Sequence, residues 1–174
     1  MALRQILTEP NKILREKSLK IENVDKDIQT LMDDMLETMY AAPGIGLAAI
    51  QVGVPKRIIV LDIDWKDKKK NPMFFINPEI ITKSKNISTY EEGCLSVPGQ
   101  FAEINRPDEC HVKFLDYFGQ PQEIKAQGML ATCIQHEMDH LEGILFIDYL
   151  SKLKKSMIVK KLSKQQKALE RIVV

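Results

Sequence analysis

The sequence predicts an α+β fold in which mixed or antiparallel β-sheets pack around a central metal-binding helix, with further helices towards both termini. Three patterns predict this arrangement. Apolar residues recur at helical spacing before residue 43, short β-branched or alternating segments fill residues 57–126, and a second helical pattern begins at residue 128. Because the 174 residues contain no internal repeat, we expect a single domain over residues 1–174.

The N-terminal helix is predicted from apolar side chains three and four positions apart, which are Ile28, Leu31, Met32, Met35, Leu36 and Met39. It must end before Pro43 and Gly44, which disfavour helix. The predicted strands cover residues 57–63, 73–81, 86–91, 101–106, 109–115 and 122–126. Residues 67–71 are charged and precede Pro72, so they predict an exposed loop or hairpin tip.

The central helix is predicted from Gly128 to about Glu142, with Gly143 as its C-terminal stop. A last helix is predicted over about residues 151–171, with one apolar stripe formed by Ile158, Leu162, Leu169 and Ile172. This helix is strongly basic, since it carries Lys152, Lys154, Lys155, Lys160, Lys161, Lys164, Lys167 and Arg171 against the single acid Glu170. An ordinary solvated helix and a docking surface are both consistent with that charge pattern.

The central helix carries the sequence His-Glu-Met-Asp-His at residues 136–140. Residues four apart lie on one face of a helix, so His136 and His140 can bind one metal ion. Glu137 flanks that ion and can act on water, as in metallohydrolases of the H-E-x-x-H type. A solvated helix with two histidines is the plainer interpretation, but only three histidines occur in the whole chain.

A catalytic zinc-like site needs a third protein ligand, and the residues leave several candidates. His111 lies on the polar face of a predicted strand and is expected to be a surface histidine, whereas Cys110 lies on the buried face. Cys133 is one turn before His136 and is expected to line a pocket or the core. Cys94 follows a glycine after a predicted strand and is a moderate candidate ligand.

Three segments in this order resemble the peptide deformylase family. They are G-x-G-x-A-A-x-Q at residues 44–51, E-G-C-L-S at residues 92–96 and Q-H-E-x-D-H at residues 135–140. Each family motif is present without a substitution at a fixed position. The resemblance implies a hydrolase that removes the formyl group from N-formylmethionyl peptides and releases formate.

The resemblance also implies roles for particular residues. Cys94, His136 and His140 are the implied metal ligands, and Glu137 is the implied proton acceptor and donor. Gln51 and the backbone N–H of Leu95 are implied to stabilise the charge on the formyl oxygen. The implied substrate-binding residues are Ile45, Gly46, Leu95, Cys133, Met129 and Tyr90. Glu92 is expected to pair with Arg106 and to steady the Cys94 loop.

One thiolate and two imidazoles suit several divalent metals, so the ligands alone do not identify the ion. From the resemblance we expect Fe(II) in the cell, with zinc, nickel or cobalt as alternatives. Thr132 stands where many family members have an aliphatic residue, which affects the depth of the methionine pocket. Phe101 replaces an arginine found in some bacterial members, which affects preference beyond the first substrate residue.

Composition limits the remaining alternatives. A net charge of +1 argues against a protein devoted to binding nucleic acid, although the family resemblance implies docking of the basic last helix on the ribosome as one interpretation. No long apolar run or signal-like N-terminus occurs, and three cysteines are too few for a disulfide framework, so we expect a cytoplasmic enzyme, monomeric and without membrane contact. An H-E-x-x-H metallopeptidase and a non-catalytic, ribosome-associated metal-binding protein remain the alternative functions.

Overall fold

The structure, a computed structural model, describes residues 2–67 and 69–172. Within these residues lie three α-helices, α1 (Lys26–Ala41), α2 (Gly128–Leu141) and α3 (Lys152–Ile172). Four short 3-10 segments occupy Lys12–Arg15, Ala49–Val52, Trp65–Asp67 and Phe146–Tyr149. The three predicted helices are therefore present, with ends shifted by one or two residues from those expected.

Seven strands form within the described ranges: β1 (Gly46–Ala48), β2 (Ile58–Leu61), β3 (Met73–Lys83), β4 (Ile87–Cys94), β5 (Val97–Pro107), β6 (Glu109–Leu115) and β7 (Pro121–Gln127). Five of them form one sheet in the order β1-β2-β3-β6-β7, and β4 pairs with β5 in a second sheet. Every ladder between these strands is antiparallel. The predicted α+β class is confirmed.

The second sheet extends further than the sequence predicted. β4 continues to Cys94 and β5 begins at Val97, so only two residues separate the strands. Gly93 pairs with Phe101, and a Cβ atom on Gly93 would lie 2.5 Å from the Phe101 ring. The glycine thus lets the hairpin close under an aromatic ring, although its position beside Cys94 had indicated a loop.

Two further segments also contain regular structure. The small-residue segment that begins at Gly44 contains the three-residue strand β1, which pairs with β2. The predicted charged loop at 67–71 begins in the 3-10 turn Trp65–Asp67, and its residue 68 lies outside the described residues.

Helix α1 packs on β1 and β2 through its methionine-rich face. Asp25 caps its N-terminus by accepting a hydrogen bond from the Ile28 N–H, and Met32, Met35 and Met39 are fully buried. They form one core cluster with side chains of β1 and β2. This packing positions the end of α1 relative to the start of β1.

Helix α2 lies between the two sheets and contacts β1, β2, β6 and β7 of one and β5 of the other. It begins at Gly128 and is followed by Gly143, both with positive φ (58° and 73°). A Cβ atom on Gly143 would collide with the backbone carbonyl of Arg15, so the chain must turn there without a side chain. Because α2 is enclosed, even its polar residues His136 and Glu137 are buried.

Helix α3 packs on the second sheet by its first half. Leu162 is buried and Ile158 is partly buried in a cluster with Val97 and Phe146. Leu169 is 65% exposed, so the predicted packing stripe was wrong at its C-terminal end, and the Ile172 side chain lies outside the described residues. Among the helices of the described residues, none is long and apolar enough to cross a membrane.

Candidate active site

Two elements bring together three side chains of the types that bind metal ions. Cys94 is the last residue of β4, and His136 and His140 lie one turn apart on α2. The possible ligand atoms of the three residues all lie within 4.8 Å of one another, and Cys94 Sγ is 3.3 Å from His140 Nε2. A soft thiolate and two imidazoles are a donor set that fits a first-row divalent ion such as zinc or iron.

A network of polar groups, buried at Glu92 and Arg106, supports His136 from behind. Glu92 Oε2 lies 2.8 Å from His136 Nδ1, which leaves Nε2 of this ring for the ligand cluster. Arg106 binds both oxygens of Glu92, at 2.5 Å and 3.0 Å. The other nitrogen of its guanidinium donates to Asp139 Oδ2 at 2.8 Å, which also accepts from the Tyr149 hydroxyl at 2.8 Å.

The predicted pairing of Glu92 with Arg106 is thus present, and two further members of the network were missed. From the sequence, Asp139 was only one of several acidic residues of the predicted central helix. Tyr149 lies in the 3-10 turn before α3. A local sequence signal for Asp139 existed, since it is three residues after His136, but its partner Arg106 is distant in sequence.

Gln51 is held so that its amide nitrogen faces Cys94. Its Oε1 accepts the backbone N–H of Ala48 at 2.8 Å, which fixes the orientation of the amide. Its Nε2 lies 3.0 Å from Ser96 Oγ and 3.5 Å from Cys94 Sγ. The side chain is almost completely buried, and its N–H groups are placed beside the ligand cluster.

Glu137 is buried beside the ligands and has no cationic partner among the described residues. Burial raises the pKa of its carboxyl to about 7, and the charge of Glu92 acts in the same direction against the charge of His136. The carboxylate lies directly against β1, since a Cβ atom on Gly46 would be 2.5 Å from Glu137 Oε1.

A cavity of about 600 Å³ opens onto Glu137, Cys94 and His136. Its lining includes all the residues that the sequence assigned to substrate contact, namely Ile45, Gly46, Tyr90, Leu95, Met129 and Cys133. Thr132 and the 66% exposed Phe101 also line it, together with Lys66, which the sequence did not single out. His111 lies elsewhere and pairs with Glu123 on β7 at 2.9 Å, as expected for a histidine outside the site.

The chain is similar over most of its length to known proteins. A family model described as polypeptide deformylase matches residues 3–156. The peptide deformylase of Pelagibacter ubique is 69% identical, covering 94% of this chain and 95% of that protein, and the one from Maricaulis maris is 57% identical, covering 98% of each. The crystal structure of peptide deformylase from Ehrlichia chaffeensis in complex with actinonin superposes with a TM-score of 0.91 at 46% identity, covering 95% of this chain and 98% of that one.

Proposed function

Because the chain belongs to the polypeptide deformylase family, we propose that Cys94, His136 and His140 hold its metal ion and that Glu137 transfers the protons of deformylation. The enzyme removes the N-terminal formyl group from nascent polypeptides, as the resemblance of its three motifs predicted. The comparisons support neither a metallopeptidase nor a non-catalytic binding protein. The observation that carries the proposal is the cluster of one thiolate and two imidazoles beside a buried glutamate.

A divalent ion held by these three residues would act as a Lewis acid and would lower the pKa of water towards neutrality. We assign Fe(II) as the ion in the cell, with zinc, nickel and cobalt as ions that the same ligands accept. Metal analysis of protein purified without oxygen tests this assignment. Zinc at one equivalent in such protein would refute it.

Glu137 is suited to accept a proton from the attacking water and to return it to the nitrogen of the leaving amine. Burial raises the pKa of its carboxyl, and a raised pKa favours a group that must both accept and return a proton.

Negative charge develops on the formyl oxygen during attack, and two protein groups can donate to it. The Gln51 amide is fixed by Ala48 and directs its N–H groups towards Cys94. The backbone N–H of Leu95 follows Cys94 in the chain and is the second proposed donor. One donor of this kind contributes about 3 kcal/mol to transition-state stabilisation.

The substrate is bound in the cavity next to these groups. We propose that the methionine side chain occupies the apolar part formed by Ile45, Leu95, Met129 and Cys133, with Tyr90 at its outer wall. The backbone of Gly46 would pair with the peptide main chain, because β1 is an edge strand of the larger sheet. Arg106 and Glu92 contribute indirectly, by holding His136.

Formate release from formyl-Met-Ala-Ser tests the site. Glu137→Gln should lower kcat by about 100- to 10,000-fold while the protein retains its metal, since general base catalysis contributes that range. Glu91→Gln is the matched control, because Glu91 lines the same cavity but is exposed. Full activity of metal-loaded Glu137→Gln would refute the assignment of the base.

We further propose that residues 1–174 act as one catalytic domain, a monomer in the cytoplasm that docks on the ribosome through α3. The exposed lysines of α3 support docking, because Lys160, Lys164 and Lys167 lie three or four residues apart and so share one exposed side of the helix. Changing Lys160, Lys161 and Lys164 to Glu should abolish co-sedimentation with ribosomes at low salt and leave formate release from the free tripeptide unchanged. Unchanged co-sedimentation would refute docking through this face.

A further inference from the structure

Two hydrogen-bond donors in the segment that follows β2 bind two consecutive carbonyl groups of the chain just before β1. The indole N–H of Trp65 donates to the Gly44 carbonyl at 2.7 Å. The backbone N–H of Asp62 donates to the Ile45 carbonyl at 2.9 Å. The β1–β2 ladder pairs Gly46 with Leu61. One backbone and one side-chain hydrogen bond thus extend this pairing to the two residues before β1.

The Trp65 ring is itself fixed. It packs on Tyr40 of α1 with the ring centroids 5.2 Å apart, and the Tyr40 hydroxyl donates to Asp62 Oδ2 at 2.6 Å. Asp62 is 1% exposed and also accepts the backbone N–H groups of Asp64 and Asn71. The indole therefore projects from a rigid corner in which α1, β2 and the 3-10 turn meet.

The opposite side of the same loop touches the catalytic groups. A Cβ atom on Gly44 would lie 2.8 Å from Leu95 Cδ1, and one on Gly46 would lie 2.5 Å from Glu137 Oε1. Ile45 and Gly46 line the cavity. Residues 44–46 are therefore enclosed between the Trp65 corner on one side and Leu95 with Glu137 on the other.

We propose that Trp65 is a positioning residue for deformylation, whose indole N–H fixes the Gly44 carbonyl and thereby the Ile45–Gly46 wall against which the substrate binds. The inference rests on the proposed function, which puts the formyl peptide against that wall. Trp65 does not line the cavity, so it acts through the loop and not by touching substrate. Its loss should therefore weaken substrate binding more than it slows the chemical steps.

Trp65→Phe tests the proposal, because phenylalanine keeps an aromatic ring against Tyr40 and removes the donor. Loss of one hydrogen bond of ordinary strength predicts a rise in KM for formyl-Met-Ala-Ser of about 3- to 10-fold, with kcat within about twofold. Amide hydrogen exchange in residues 44–48 should also become faster, measured by mass spectrometry on the metal-loaded protein.

Tyr117→Phe is the control, since it removes the hydroxyl that lies 3.1 Å from Asp33 Oδ2, on another part of α1. This variant should change neither KM nor the exchange of residues 44–48. Equal KM values and equal exchange in Trp65→Phe and wild type would overturn the proposal.

A second variant covers the case in which Trp65→Phe does not fold. Trp65 is the only tryptophan, and 3-benzothienylalanine at this position preserves the bicyclic shape and replaces only the N–H by sulfur. It should give the same rise in KM and the same faster exchange. If wild type releases no formate, the proposed function fails, whereas the exchange measurement still decides whether Trp65 fixes the wall.

Discussion

Gly46→Ala places the smallest added side chain directly against the proposed catalytic base. The added Cβ would lie 2.5 Å from Glu137 Oε1 and 2.9 Å from both Glu137 Cδ and Leu61 Cδ2. Ordinary contact begins at about 3.5 Å, so the carboxylate must move by about 1 Å. Gly46 does not have a positive φ, so the backbone itself accepts alanine and the effect comes from the collision alone.

A displacement of about 1 Å at a reacting group typically lowers the rate about 100-fold. We therefore expect kcat for formate release to fall about 100-fold in Gly46→Ala. The metal content should stay the same, because Glu137 is not a proposed ligand. The free energy of unfolding should fall by only about 1–3 kcal/mol, as is usual when one methyl group overfills a packed region.

Gly44→Ala is the matched comparison two residues earlier. Its Cβ would meet Leu95 Cδ1 at 2.8 Å, which is the tip of a side chain that can rotate away. We expect a change in kcat of no more than a few-fold, measured in the same assay with urea unfolding in parallel. The reasoning is refuted if metal-loaded Gly46→Ala keeps wild-type kcat, or if Gly44→Ala loses as much activity.

Two further predictions concern ion pairs. Arg106→Leu leaves Glu92 buried without its cation, which should lower the free energy of unfolding by about 3–5 kcal/mol and weaken metal retention by about 10- to 100-fold. Urea unfolding measures the first effect, and competition with a chelator measures the second. Wild-type values in both assays would contradict the role given to this pair. At Asp148, burial raises the pKa, but its ion pairs with Lys155 and Arg15 and a backbone N–H outweigh burial and leave the pKa below its ordinary value. The ionised carboxylate therefore stabilises the fold above the unfolded pKa of about 3.9, and this stabilisation is lost as the pH falls from there through the lower folded pKa. Asp148→Asn should be less stable than wild type at pH 7 and should lose less stability than wild type between pH 5 and pH 3. Equal losses in the two proteins would refute this.

The parts of the fold that the sequence predicted are those with a local cause. The spacing of Met32, Met35 and Met39 requires one buried helical face, and the four-residue spacing of His136 and His140 places both imidazoles on one side of α2. Neither inference needs knowledge of a distant residue. The class of fold followed for the same reason, since the alternation in the strands is also a local pattern.

The parts that the sequence missed depend on contacts between distant segments. The extension of β4 to Cys94 depends on Phe101 covering Gly93, and glycine alone had indicated a loop. Trp65 had no role in the sequence because its partner, the Gly44 carbonyl, is a backbone group 21 residues away. Backbone acceptors have no sequence signature, so such a contact can be found only from the structure.

The two buried glutamates of the site, Glu92 and Glu137, also differ because of contacts with distant residues, and this difference shifts their pKa values in opposite directions. Burial acts to raise the pKa of both carboxyl groups, but the net shifts of the two groups differ. At Glu92 the hydrogen bonds from His136 and Arg106 outweigh burial and lower the pKa, so this group stays ionised. Within residues 2–67 and 69–172 Glu137 has no such partner, and burial raises its pKa to about 7. The two environments therefore suit different proposed roles. Glu92 stays ionised beside His136, a proposed metal ligand, whereas the raised pKa of Glu137 suits the proposed proton transfer.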